Sequence, residues 1–341
     1  MRITIRVDSS LQIGTGHIAR CLALAEELRK KGAKVEFFCL NLPGNVAHLA
    51  SNQGFPVHFL DSDPGEECAR ILQAAIPRFD ALIVDHYQLD ASWERLVRPH
   101  VDKLLVLDDL ANRPHDCDLL VDPNFGEKIE LRYAELVSSD CKQLLGPSYA
   151  LLRKEFSEVR VRAEALRSPP SEIKHLLIFY GGIDLTDETT KTLDALDKLG
   201  RQDLSVDVVI GERNPQRDLI EKRLAGRAGY RCLIQVENMA ELMLSAQLAI
   251  GAGGTNSWER CCLGLPSLVV SVADNQVLVC LELDRSGYHF YLGHHSEVSV
   301  EILAQAISDR LERAEETRTR GLKAMDLVDG LGCEKVAAEL I

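Results

Sequence analysis

ITIRVDSSLQIGTGHIARCLALAEELRKKG, residues 3–32, decides the fold. ITIRVD reads as a strand, with apolar and polar residues alternating. A short loop follows, and Gly14 and Gly16 lead directly into His17. From there Ile18, Cys21, Leu22, Ala25 and Leu28 fall on one helical face, and Gly32 marks the end of the helix. A strand, a glycine-bearing loop and an amphipathic helix make the first half of a βαβ unit. The same rhythm continues along the chain.

KVEFFCL (34–40) is the next strand, followed by a turn at Pro43-Gly44 and a helix in NVAHLASNQG. VHFLD (57–61) is a strand and EECARILQAAI (66–76) a helix. ALIVDHY (81–87) and KLLVLDDL (103–110) are apolar strands whose polar residues gather at the carboxyl end, and CDLLVDPN (117–124) has the same form. Such alternation implies a parallel sheet covered by helices. Residues 157–173 break the pattern with charges and then Ser168-Pro169-Pro170, which reads as a linker. The pattern then restarts with strands in HLLIFYGG (175–182), SVDVVIG (205–211), RCLIQVE (231–237), LAIGAGG (248–254) and PSLVVSV (266–272), and ends in a long helix. The expectation is an α/β protein with two doubly wound Rossmann-like domains facing across a cleft. Residues 1–160 would form the N-terminal domain, 161–173 the linker and 174–341 the C-terminal domain. Ligands of such sheets bind beyond the carboxyl ends of the strands.

The net charge of −13 argues against a nucleic-acid surface. No apolar run is long enough for a membrane span, and the N-terminus lacks a signal-peptide pattern. Ten cysteines occur with no C-x-x-C pair and no zinc-ligand spacing, which fits small apolar residues in a reducing cytosol. No zinc site and a cytoplasmic location are therefore expected.

Gly14-Thr15-Gly16-His17-Ile18-Ala19 loosely fits a dinucleotide fingerprint, but the fit fails twice. SSLQI separates the strand from the first glycine, and Cys39-Leu40-Asn41 stands where an acidic residue is needed. Most isolated histidines cap or pack. Here a helix dipole faces the ring and favours its neutral form, which is what a general base requires. Gly14 and Gly16 would allow close approach of a substrate.

GAGGTNSWERCCLGLPS (251–267) places Gly253, Gly254, Thr255, Asn256 and Ser257 where a strand gives way to a helix. Converging N–H groups and hydroxyls there suit a diphosphate without a metal. Glu259 either stabilises its own helix start or accepts from a ribose diol. Asn275, in VADNQ, is an amide at another strand end or simply a turn residue. Asp85, His86 and Tyr87 could line the same region. Asp108 and Asp109 read more readily as turn formers, and Gly181-Gly182 as a tight turn or a phosphate contact.

Together these stretches resemble one family. The pattern from Gly14 to Ala25, IVDHY, LDD, GPSYALLRKEF (146–156), GGID and NSWERCCLGLP are similar, in order, to the metal-independent nucleotide-sugar hydrolases of pseudaminic acid biosynthesis. That family acts on UDP-2,4-diacetamido-2,4,6-trideoxy-β-L-altropyranose on the way to flagellin glycosylation. The resemblance implies a GT-B fold, no cofactor and hydrolysis to UDP and free sugar, with water attacking the anomeric carbon and inverting it. It implies His17 as general base, Tyr87 and Asn275 near the sugar, and Glu259 on the ribose. Backbone groups at Asn238 and Met239 would meet the uracil, and Gly253–Ser257 the diphosphate. A small-molecule UDP-sugar is thus the expected partner, and a monomer the expected state. Two other readings are a UDP-sugar-dependent glycosyltransferase of the same fold and a non-catalytic nucleotide-sugar-binding protein. The residues beyond about 295 carry no motif of the family.

Overall fold

The computed structural model describes residues 1–60, 64–75 and 78–341. It divides into two α/β units, one formed by Met1–Arg153 with Leu331–Ile341 and the other by Lys154–Gly330.

In the first unit the strands are β1 (Arg2–Val7), β2 (Lys34–Leu40), β3 (Val57–Leu60), β4 (Phe79–Asp85), β5 (Val101–Leu107), β6 (Leu119–Asp122) and β7 (Lys142–Leu145). They form one parallel sheet in the order β3-β2-β1-β4-β5-β6-β7. One face carries Ile3, Ile5, Val7, Phe37, Ala81, Ile83 and Leu105. The other carries Phe38, Phe79, Leu82, Val84, Leu104, Val106 and Leu120. Both faces are covered, so the strands read as nearly continuous apolar runs. The helix Gly16–Lys30 inserts the expected stripe, Ile18 to Leu28, into the first of these layers.

The second unit repeats the plan with β8 (His175–Phe179), β9 (Ser205–Ile210), β10 (Tyr230–Ile234), β11 (Leu248–Ala252), β12 (Ser267–Ser271) and β13 (Phe290–His294). Their parallel order is β10-β9-β8-β11-β12-β13. In each sheet the connections run outward, then return to the other side of the first strand. The switch lies between β1 and β4 in one unit and between β8 and β11 in the other, where doubly wound sheets hold ligands.

The domain boundaries expected from the sequence need correction. Residues 161–167 are not linker: they continue a helix, Lys154–Arg167, inside the second unit. Lys154, Glu158, Arg162 and Glu164 do face solvent, but Arg160 and Arg167 turn inward. Arg160 donates to the carbonyls of Cys262 (2.7 Å), Val328 (3.0 Å) and Met325 (2.9 Å). Arg167 donates to those of Leu263 (2.6 Å), Ala246 (2.9 Å) and Met243 (2.6 Å). Carbonyls at helix ends lack partners within the helix, and a guanidinium satisfies several at once. The prolines do stop the helix, which ends two residues before Pro169.

The C-terminal boundary also moves. The expected long final helix is three, Val300–Glu312, Ala314–Ala324 and Gly332–Leu340. The last of these belongs to the first unit, because Val336, Ala337 and Leu340 are fully buried in the core with Leu24 and Leu28. Burying a Val or Leu side chain stabilises by roughly 1.5–3 kcal/mol, which fixes that helix to this core. Asp61, expected to end a strand, and Ile76, expected in a helix, lie outside the described residues.

Candidate active site

Three neighbouring strands of the first sheet, β4, β5 and β6, end in aspartates at or just past their carboxyl ends, and so does β1. Each aspartate meets its own arginine. Asp8 follows β1 and takes two hydrogen bonds from Arg6, at 2.7 and 2.9 Å. Asp85 ends β4 and accepts from Arg20 Nε at 2.7 Å and Nη2 at 2.6 Å. Asp108 follows β5 and pairs with Arg113 at 2.9 Å, and Asp122 ends β6 and pairs with Arg132 at 3.2 Å.

His17 is built into this row. Ser10 Oγ accepts from the N–H groups of Gln12 and Ile13, and the Gly14 N–H closes back on the Ser10 carbonyl at 2.9 Å. Gly14 holds φ +80°, a conformation that costs an L side chain about 1–2 kcal/mol. The turn delivers the chain to Gly16, where the helix starts, and puts His17 over the end of β4. Val7 pairs with Asp85 in the register of β1 and β4, so the switch point lies under the ring.

His17 Nδ1 lies 2.6 Å from Asp85 Oδ1. A carboxylate acceptor at that nitrogen selects the tautomer with the proton on Nδ1 and leaves the Nε2 lone pair free. Among the described residues Nε2 has no hydrogen-bond partner. Asp85 is fully buried, and burial alone would raise its carboxyl. The Arg20 and His17 charges and hydrogen bonds overcome this and hold it well below the usual carboxylate range. It therefore stays an anion whatever the ring does. Arg20 continues the chain to Asp109 Oδ2 at 2.8 Å. Tyr87 donates to the same oxygen at 3.4 Å and stands edge-on to the His17 ring, centroids 4.5 Å apart. Burial and Asp109 push the Tyr87 phenol up, so it remains protonated. Asp109 Oδ1 is buried without a partner.

A second histidine lies in the same row but is differently placed. His86 donates from Nε2 to Asp8 at 3.1 Å, and its Nδ1 accepts from the Gln88 N–H at 3.0 Å. Both nitrogens are occupied, so His86 is a strut and His17 is the histidine with a free acceptor. Arg20 is the partner that the sequence reading does not name, and Asp85, named only as lining the region, turns out to pair with His17. Arg20 follows His17 by three residues and so shares its helical face, a signal present in the sequence. The pairing of His17 with Asp85 spans 68 positions and has no local signal. Asp108 does form a turn, accepting from the Ala111 N–H at 2.8 Å, whereas Asp109 joins the Arg20 network.

In the second unit the Gly253–Ser257 loop joins β11 to the helix Asn256–Cys262. Gly253 N–H is used by the Val270 carbonyl and Ser257 N–H by that of Gly254. The N–H groups of Gly254, Thr255 and Asn256 donate to no protein atom among the described residues. Three successive free N–H groups form a concave donor set for an anion. Gly253 has a further reason to be glycine: a Cβ there would lie 2.2 Å from Cys280 Sγ. Glu259 is held by Asn256 Nδ2 at 2.6 Å. Asn275 is exposed on the first turn of the helix Asp274–Arg285. Gln276, its neighbour, comes within 3.5 Å of where a Gly254 Cβ would stand. Asn238 precedes the helix Met239–Ser245, with Met239 buried, and among the described residues no hydrogen bond joins them to the Gly253–Ser257 loop. No group of three or more His, Cys, Asp or Glu among the described residues could hold a metal ion. Likewise none of the described helices is long and apolar enough to cross a membrane.

No family model matches the chain. A Campylobacter jejuni protein named UDP-2,4-diacetamido-2,4,6-trideoxy-beta-L-altropyranose hydrolase is 29% identical over 289 residues, 84% of this chain and 98% of that one. The chain is related to this hydrolase. It is also 29% identical over 297 residues, 86% of its length, to an uncharacterised protein of Methanocaldococcus jannaschii, but it spans only 58% of that longer relative. Among solved structures, MurG of Acinetobacter baumannii superposes with a TM-score of 0.66 at 15% identity, covering 99% of both chains. The fold is of the expected GT-B type, with two parallel-sheet α/β units.

Proposed function

We propose that the chain is a metal-independent hydrolase of a UDP-linked 2,4-diacetamido-2,4,6-trideoxy hexose, the L-altropyranose form, in pseudaminic acid biosynthesis. The His17–Asp85 pair carries the reading. His17 Nε2 takes a proton from water as the water oxygen bonds to the anomeric carbon. The bond from that carbon to the diphosphate oxygen breaks, its electron pair leaves with UDP, and the sugar is released inverted. Asp85 stabilises the imidazolium that forms at 2.6 Å from it, and Arg20 keeps Asp85 in place. Glycosidases use two carboxylates because their leaving group must be protonated. A diphosphate leaves as a stable anion, and one base suffices.

The Gly253–Ser257 loop binds the diphosphate through its free N–H groups and stabilises the charge that develops on departure. Glu259 takes the ribose diol, exchanging its hold on Asn256. The backbone at Asn238 and Met239 meets the uracil. Tyr87 and Asn275 contact the sugar, and Gly14 and Gly16 leave room for it. The name of the Campylobacter relative supports the substrate, as does its 98% coverage by this chain.

A panel of UDP-sugars incubated with chelator and without acceptor tests the reading. Release of UDP and free sugar is expected. A requirement for a sugar acceptor would make the protein a transferase, and strict metal dependence would overturn the mechanism. In ¹⁸O-water the label should enter the sugar; label in UDP would refute C–O cleavage. If His17→Asn left turnover intact, His17 would not be the base.

A further inference from the structure

The second unit contains a buried arginine that forms no ion pair among the described residues, the Glu259 carboxylate acting on it only at longer range. Arg260 is 3% exposed and lies in the helix that follows the Gly253–Ser257 loop. Its Nη2 donates to the Ala252 carbonyl at 2.8 Å and to Ser257 Oγ at 3.0 Å, so the guanidinium spans the two ends of that loop. Its Nε is buried without a partner. A Cβ on Gly251 would come within 3.2 Å of its Nη1, which places the guanidinium directly beneath the end of β11.

The other buried arginines are matched. Arg6 meets Asp8 and Glu67, Arg20 meets Asp85 and Asp109, and Arg167 is filled by three carbonyls. Among the described residues no carboxylate pairs with Arg260. Arg167 shows that carbonyls can hold a buried guanidinium when they fill its donors, whereas Arg260 keeps an unfilled Nε, and an anion arriving with a ligand would offset the cost of burying that charge. The three free N–H groups of Gly254, Thr255 and Asn256 sit on the loop whose two ends Arg260 ties, so the free donors and the buried cation belong to one loop.

We propose that Arg260 is the counter-charge for the diphosphate, a positioning residue that acts through the loop and selects phosphate-bearing nucleotides over the bare nucleoside. The inference rests on the nucleotide reading of this loop. It assigns a source for the selectivity that the N–H groups, being neutral, supply only in part. Arg260 touches neither the sugar nor the reacting atoms and orients the loop by its two hydrogen bonds.

The test compares UDP, UMP and uridine binding by calorimetry in the full chain and in Arg260→Met and Arg260→Lys. Removing the charge in R260M should weaken UDP by about ten- to thirtyfold, UMP by less and uridine by under about twofold, as expected for a charge acting across one loop. R260K keeps the charge and should retain most of the UDP-over-uridine ratio. Equal losses for UDP and uridine, or no loss, would reduce Arg260 to a structural tie and overturn the proposal. Should R260M not fold, R260K decides alone, since a ratio that collapses with the charge still present refutes a charge effect. A wild-type chain that binds no UDP would overturn the nucleotide reading itself, and this proposal with it.

Discussion

Replacing Asp85 by Asn separates the role of the carboxylate from the role of its shape. The carboxylate accepts three short hydrogen bonds, from His17 Nδ1 at 2.6 Å and from Arg20 Nε and Nη2 at 2.7 and 2.6 Å, and the Cys21 thiol adds a fourth at 3.4 Å. An amide has one oxygen for these donors, and its NH₂ must face at least one of them. Hydrogen bonds to charged groups contribute about 1.5–3 kcal/mol each. Breaking one side of a buried ion pair costs about 3–5 kcal/mol because the remaining charge is stranded. The unit should therefore lose about 3–5 kcal/mol, which for its size shifts the melting temperature by roughly 10 °C. Where the protein still folds, Asn donates its amide to Nδ1, selects the other tautomer and puts the proton on Nε2. Turnover on the UDP-sugar should then fall about 10²–10⁴-fold, with UDP affinity unchanged because its proposed contacts lie in the other unit. The double variant with His17→Asn should be no slower than H17N alone, as groups acting as one unit are not additive. UDP release by D85N within about threefold of wild type, measured below its melting temperature, would refute the relay.

Three further outcomes follow from the packing. Burial pushes the Asp122 carboxyl up to about 6 from 3.8, so the folded state prefers it protonated. Its stabilising contribution is full below about pH 4 and is lost as pH rises through about 6, on the order of 3 kcal/mol, and Asp122→Asn should flatten that part of a urea-denaturation pH profile. Gly253→Ala places a methyl 2.2 Å from Cys280 Sγ and should cost about 1–3 kcal/mol, recovered when Cys280→Ala is added. Arg167→Met strands the carbonyls of Leu263, Ala246 and Met243 and should lower the stability of the second unit by about 2–4 kcal/mol, visible as faster amide exchange there and not around β1.

The strands were the most legible part of the fold. KVEFFCL is a strand over the same residues, Lys34–Leu40, because an apolar run between a lysine-glycine stop and a proline leaves few alternatives. KQLL carries no such signal: β7 is four residues at the sheet edge, half polar, and its hydrogen bonds to β6 come from tertiary pairing. The helix Ala91–Val97 is short, and its one local signal is Asp90, which caps it by accepting from the Ser92 N–H. The 157–173 stretch misled because its charge looked like solvation, whereas Arg160 and Arg167 are occupied by backbone carbonyls distant in sequence.

At the site, His17 stood out through its glycines. Asp85 could be named but not assigned, since strand-end carboxylates look alike until the register places one beneath the ring. The glycines of the second loop illustrate the same limit. Gly253 reads as part of a diphosphate-binding loop, and the structure adds a neighbour, Cys280, that leaves no space for a side chain.

The return of Leu331–Ile341 to the first unit bears on how the protein is made. A ribosome releases the N-terminal end first, yet β1 to β7 cannot cover one face of their core until Val336 and Leu340 have emerged. Until Leu331–Ile341 has been made, Leu24 and Leu28 of the His17 helix lack their apolar partners Val336, Ala337 and Leu340, while Lys154–Gly330 already holds all of its own strands.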